Sequence, residues 1–373
     1  MAAGVTTDAA RAARWRSERP VTSTARWSAE RARAWQEQQG WLVGCNFVPS
    51  TAGNQLEMFQ STTFDPATIR RELTWAAELG VNSIRLFLHD LLWSHDDGFL
   101  DRVEQVLELA DAVDIGVMPV LFDGVWNPRP HLGDQGSPRP GVHNSMWVQS
   151  PGADAITDRS RWPELRRYVD AVLDRFGEDD RIQVWDLFNE SDNPNGFTYG
   201  STELPDKRAA VTPLVDAVFD WAIEADPSQP LTVGIWVGVH GRPERVSRLN
   251  RISLARSDVV SFHSYRRRDP LRRAITHLST YDRPLLCTEW LARSAGSGVD
   301  LIDDFAELGV GAYCWGLVSG RSQTIHPWTS WLRPDRGEPD PWFHDLLRTD
   351  GTPYDADEVA LLRRATHAGG EAP

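Results

Sequence analysis

The chain is poor in everything that would staple it, anchor it or load it with metal. Its three cysteines, Cys45, Cys287 and Cys314, cannot make a paired framework, and each sits in an apolar, strand-like run as a small buried filler. No C-x-x-C and no His-x-x-x-His spacing occurs, so no metal is expected. No apolar run approaches the roughly 18 residues of a membrane span, and the opening "MAAGVTTDAARAARWRSERP" lacks the apolar core of an export signal. The expectation is a cytoplasmic protein with no membrane partner. Basic residues are outnumbered 39 to 53, for a net charge of −14, which argues against nucleic acid because phosphate binding needs a concentrated basic face. The local run "RRRDPLRR" (266–273) reads as a solvated helix start. "GCNFVPSTAGNQ" contains neither G-x-G-x-x-G nor G-x-x-x-x-G-K-[ST], so a nucleotide cofactor has no support. No internal repeat is found.

What is abundant is tryptophan, 17 residues, alongside 24 prolines. Trp is large, flat and amphipathic, so an excess means a bulky core or platforms for a ligand. Trp126, Trp147 and Trp328 fall on loops and are the harder ones to assign to packing. Trp15, Trp27 and Trp35 are expected to anchor the N-terminal segment.

From residue 41 onwards, apolar, β-branched or aromatic runs alternate with amphipathic ones. Eight runs read as strands, at 41–47, 83–88, 117–122, 182–188, 230–236, 258–265, 284–290 and 311–317. Between them, segments such as "PATIRRELTWAAELG" and "WPELRRYVDAVLDRFG" have helical periodicity. Upstream, "SAERARAWQEQQG" supplies an N-cap serine and a terminal glycine. Strands apolar on both faces, each followed by a helix, imply a parallel sheet covered on both sides. Eight such units fit a closed α/β fold, the (β/α)8 TIM barrel, better than an open sheet. Residues 1–40 are expected to form an extension and helix docking on the barrel, and residues 41–373 a single domain with a long loop at about 123–161. A loop of that length, rich in Pro, Gly, His, Asn and Trp, is expected to form a wall of a pocket.

In such barrels function sits at the C-terminal ends of the strands. "VWDLFNESDNP" carries an apolar strand straight into Asn189 and Glu190, and "PLLCTEWLARS" does the same with Glu289. Three βα units separate the two acids, placing them after strands four and seven, on opposite sides of one mouth. A lone strand-end glutamate is more often a cap or a salt-bridge partner. Two opposed carboxylates are what glycosidic bond cleavage needs, one protonated to serve the leaving oxygen and one ionised to act at the anomeric carbon.

An Asn-Glu pair after strand four with a lone Glu after strand seven resembles the retaining (β/α)8 glycosidases. Over roughly residues 41–345 the chain looks most like the family 5 glycoside hydrolases, the cellulase and mannanase family. That resemblance implies Glu190 as general acid/base, Glu289 as nucleophile and Asn189 as partner of the sugar 2-OH. It implies that Arg85 in "SIRLFLHD" places the nucleophile and keeps it ionised. It puts His263 and Tyr265 of "FHSY" near the acid/base and the nucleophile, and Trp315 of "CWGL" as a stacking platform. One departure stands out. The family carries a histidine just past strand three, where this chain has Asp123 and Trp126; His89 and His143 are candidate substitutes. Trp126 and Trp147 as sugar platforms, and His143 and Asn144 as hydroxyl partners, compete with plain loop packing. Gln55, Glu57 and Phe59, and at the mouth Trp236, His240 and Arg293, are further candidates.

The implied activity is that of a retaining β-glycosidase, without cofactor, hydrolysing short β-linked oligosaccharides or glycosides by double displacement. Intracellular members with an opening like "GCNFVPSTAGNQLEMFQ" resemble exo-β-mannosidases, so the expectation leans to an exo-β-mannosidase or β-glucosidase. The alternatives are an endo-β-1,4-xylanase or glucanase and a catalytically silent carbohydrate-binding barrel. A metal-dependent barrel hydrolase would want His-x-His after strand one, where the chain reads "GCNF".

Overall fold

A computed structural model of the chain describes residues 24–238 and 246–369. Trp15 and His240 therefore lie outside the described residues. Eight parallel strands form one sheet: β1 Val43–Asn46, β2 Ser83–Phe87, β3 Gly116–Val120, β4 Trp185–Asp186, β5 Leu231–Thr232, β6 Val260–His263, β7 Leu285–Trp290 and β8 Gly311–Trp315. Their order is 5-4-3-2-1-8-7-6, with β1 paired to β8. The ring closes between β5 and β6 through a bridge of Ile235 with Phe262. The fold is the (β/α)8 barrel that the alternation of runs implies.

The helices start and stop where the sequence sets caps. Ser28 accepts from the Arg31 amide to open Ala29–Gln39, and Gly40 closes it in the left-handed region at φ 70°. Pro66 opens Pro66–Glu78, Asp206 caps Lys207–Ala225, and the arginine run begins the helix Arg268–Leu278. Each turns an apolar stripe inward, as with Leu165, Tyr168, Val169, Val172 and Phe176 of Trp162–Phe176. The barrel floor is a separate cluster in which Trp27 and Trp35 pack with Leu42, Met118, Val259 and Tyr313.

Two local departures from regular strand geometry aim side chains at the mouth. On β7, Phe262 faces Cys287 but His263 faces Glu289, so Thr288 is an extra residue and the strand bulges just before Glu289. At the end of β4 the backbone turns left-handed at Glu190, φ 38°, a conformation a glutamate adopts at a cost. The turn is locked from behind by Gly124, where a Cβ would stand 2.4 Å from the Glu190 carbonyl oxygen.

The long loop after β3 is folded. Asp123 pairs with Ser150 and Asn127 with Val148, and the helix Ala153–Thr157 follows. Lys207, the single lysine of the chain, is buried behind it and uses all three of its donors. Its Nζ donates to the Gly124 carbonyl at 2.6 Å, Gln149 Oε1 at 3.0 Å and Glu203 Oε2 at 2.8 Å. A compact ammonium suits three acceptors arranged around a point, where a planar guanidinium does not.

Candidate active site

Arg85 on β2 is fully buried and spends all five of its N–H groups. Nη1 donates to Asn46 Oδ1 at 2.8 Å and Glu289 Oε1 at 3.0 Å; Nη2 donates to Asp186 Oδ2 at 2.7 Å and Asn189 Oδ1 at 2.7 Å; Nε donates to Asp186 Oδ2 at 3.1 Å. One guanidinium thus ties together the ends of β1, β2, β4 and β7. Asn46 is oriented in turn by donating to the Thr288 and Cys314 carbonyls.

Glu289 receives Arg85 on one oxygen and the Tyr265 hydroxyl on the other, at 2.8 Å. Across the mouth, Glu190 has His263 Nδ1 2.7 Å from Oε1 and accepts from Asn193 Nδ2 at 2.6 Å on Oε2. His263 Nδ1 also lies 3.4 Å from Glu289 Oε2, so the imidazole stands between the two acids. One donor atom from each of Glu190, His263 and Glu289 falls within 4.8 Å of the other two.

Burial dominates the protonation equilibria. It raises the Glu190 carboxyl to about 7, with Asn193 and the more distant Arg85 pulling the other way. Burial lowers the His263 imidazole to about 4, so the ring is neutral near pH 7. Burial also pushes Glu289 up, against the opposing pull of His263, Arg85 and Tyr265. Arg85 acts on Glu289 in the direction the resemblance implies, against the larger upward effect of burial.

By donor count alone the Glu190–His263–Glu289 trio resembles a cation site. Its oxygens are already served by Arg85, Tyr265 and Asn193, and the fixed positive charge of Arg85 against Glu289 opposes a second cation there.

Asp123 takes the place after β3 where the resembling family has its histidine. It is buried and collects donors. Asn189 Nδ2 reaches Oδ1 at 2.9 Å, and Trp147 Nε1 and Gln55 Nε2 reach Oδ2 at 2.5 and 3.1 Å. It thus acts as a bracket that fixes the Asn189 amide from below and hangs Trp147 from the same carboxyl, which burial raises to about 7. Trp147 and Trp315 meet edge to face at 5.6 Å, and both meet Phe87. With Trp126, which stacks on Trp331 at 5.7 Å, they form a buried aromatic cluster, and none of the three lines the cavity that opens beside Glu190.

Other candidates are placed elsewhere. His143 sits in an aromatic cluster, with Nδ1 against the His326 carbonyl, and burial holds it at about 4. Asn144 is buried at φ 45°, its amide on the Ser322 carbonyl. His89 caps the short helix Asp90–His95. Gln55 is committed to Asp123 and the Val148 carbonyl, Glu57 to Arg321 and the Gly53 amide, and Phe59 is core. Arg293 is tied to Glu358 and three carbonyls. None of these lines the cavity that opens beside Glu190. That cavity measures about 760 Å³ and has Trp236, His263, Tyr265 and Trp328 in its walls, while Glu289 stays behind them.

Asn46, Asp186 and Asn193 were not anticipated. For the first two a signal existed, a polar side chain inside an apolar strand run in "GCNF" and "VWDLF".

No family model matches the chain, and no curated protein matches it. Among solved structures it is similar to a β-glucosidase designated 1317, with 14% identity, TM-score 0.58, and 88% of this chain and 99% of that one covered. It is also similar to GH5_18 from Streptomyces cattleya in complex with GlcNAc, at 12% identity and TM-score 0.57 over 90% and 82% of the two chains. The endo-1,4-β-mannanase from Rhizomucor miehei gives 14% identity and TM-score 0.54 over 89% and 96%. At such identities the likeness is one of fold. It defines the class as a (β/α)8 barrel over nearly the whole length of those proteins.

Proposed function

We propose that the protein is a retaining β-glycosidase of the family 5 glycoside hydrolase kind. One observation carries the reading: donor atoms of Glu190, His263 and Glu289 lie within 4.8 Å of one another across a barrel mouth. Carboxyl groups about 5–5.5 Å apart suit attack by one of them, whereas inversion needs about 6.5–9.5 Å to admit a water. Glu289 attacks the anomeric carbon while Glu190 gives its proton to the leaving oxygen, breaking the glycosidic bond and leaving a glycosyl ester on Glu289. Water then enters on the face the leaving group has vacated, Glu190 takes its proton, and the bond to Glu289 breaks to release the sugar. Tyr265 and Arg85 hold the attacking carboxylate, and the second N–H of Asn189 Nδ2 is available to a 2-OH.

The finer assignment is exo action on β-mannosides or β-glucosides. It is supported by the packed cluster of Trp126, Trp147 and Trp315 with Phe87, which occupies the ends of β8 and β2 and the loop after β3, where an open cleft would otherwise run. The lean to mannosides or glucosides, not the exo mode, is supported by similar folds that include a β-glucosidase and mannanases and by a variant of the Streptomyces cattleya enzyme solved in complex with Manβ1-4GlcNAc.

The test is a panel of aryl β-glycosides. Glu289→Ala is expected to be inactive and to regain turnover with azide, yielding the α-glycosyl azide. Glu190→Ala is expected to keep activity only on good leaving groups, with azide giving the β product. Normal activity in both variants would overturn the reading.

A further inference from the structure

We propose that the leaving-group side of the cavity takes a sugar bearing an anion, a hexuronate or a sugar phosphate, because unpaired Arg266 and Arg267 share that cavity with Glu190, Trp236 and Trp328. This rests on the glycosidase reading for its direction. The proton donor faces the leaving group, and Glu190 lines this cavity whereas Glu289 does not.

The contrast with neighbouring arginines carries the argument. Next to them in the lining, Arg268 pairs with Asp300 at 3.0 Å and Asp304 at 2.7 Å, and Arg272, one turn further along the same helix, pairs with Asp304 at 2.5 Å. Arg266 and Arg267 are exposed, and among the described residues neither guanidinium has an ion-pair or hydrogen-bond partner. Arg267 lies flat across Gly296, where a Cβ would stand 2.7 Å from its Nε, so the absence of a side chain there lets it extend. Among the described residues, Glu190 and Asp269 are the acids of the lining. The helix Arg268–Leu278 opens at this rim without a side-chain cap, adding its positive end. Two indoles supply apolar faces for a pyranose ring, and a guanidinium pair supplies a fork for a carboxylate or phosphate.

Tryptophan fluorescence reads the site directly, since Trp236 and Trp328 are in its wall. Full-length protein is titrated with glucuronate, glucose 6-phosphate, glucose and inorganic phosphate. Charge-assisted hydrogen bonds make the anionic sugars bind at least about tenfold tighter than glucose. Added salt weakens that preference, and Arg266→Gln/Arg267→Gln removes it. Whichever anionic sugar binds tighter identifies the source of the charge. Equal affinity for glucose, a preference surviving in the double variant, or inorganic phosphate binding as tightly as glucose 6-phosphate would each overturn the proposal. The salt titration on unaltered protein stands whether or not the double variant folds. Hydrolysis of aryl glycosides without an anion preference sinks this inference alone. An anion preference without hydrolysis sinks the glycosidase reading and leaves the site.

Discussion

The ends of β4 and β7 carry the same side chain at the same depth, Glu190 8% exposed and Glu289 5% exposed, in opposite company. Glu190 leaves a left-handed turn and meets a neutral imidazole and an amide. Glu289 follows a bulge and meets a guanidinium and a phenol. Burial raises both carboxyls, but only Glu289 has a fixed cation within hydrogen-bonding distance to oppose it. In the proposed reaction, the difference between the acid and the nucleophile therefore lies in the partners, not in the residue or its depth.

The largest way to break that contrast is to remove the cation. Arg85→Met strands Asp186 and Glu289 as buried carboxylates without a counter-charge, which costs about 3–5 kcal/mol of stability. Urea unfolding is expected to show that loss. Arg85→Lys is expected to recover only part of it, because an ammonium cannot serve Asn46, Asp186, Asn189 and Glu289 together. A methionine variant as stable as the parent would show that Arg85 is not the anchor.

A smaller effect of the opposite sign is expected at Glu190. Its carboxyl moves from the ordinary glutamate value of 4.5 to about 7 in the folded protein. Between those values the folded state keeps a proton that the unfolded chain has lost, so this group lowers stability as pH rises through that window. Glu190→Gln has no charge to bury. It is expected to be more stable than the parent by about 1–3 kcal/mol at pH 8 and equal to it at pH 4. Glu289→Gln should gain less, since Arg85 and Tyr265 already offset its burial. Parallel melts across pH read both. Equal gains would erase the comparison.

Much of this is legible in the sequence by itself. Apolar runs bounded by caps mark the eight units, and Glu190 and Glu289 stand out as acids at the ends of such runs, whereas Arg85, His263 and Tyr265 are legible only through the family resemblance. What stays hidden there depends on distant contacts. Asp123 looks like a gap in the family pattern, and only the folded loop shows three side chains converging on it. Lys207, in "PDKRAA", carries no signal in the sequence, since its partners lie on loops up to 83 residues away. Gln55 and Glu57 look available for a sugar in sequence, but the turn of Gln55–Phe59 directs them into the long loop and Arg321. The bulge at Thr288 leaves no composition signal at all.

The smallest prediction tests the Glu190 side by itself. Asn193 Nδ2 donates to Glu190 Oε2 and so favours the ionised form, the strongest of the effects that hold this carboxyl down. In the proposed reaction Glu190 must arrive protonated, so kcat/KM falls as pH rises through about 7. Asn193→Ala removes the donor without touching Glu289 or Arg85. A net hydrogen bond of about 0.5–1.5 kcal/mol corresponds to roughly half a unit to one unit of pKa. The alkaline limb of kcat/KM should therefore move up by that much, while the acidic limb, set by Glu289 and its own partners, stays in place. A limb that stays fixed, or moves down, would mean that Glu190 does not set it. The division of labour between the two strand ends would then have to be redrawn with His263 as the titrating group.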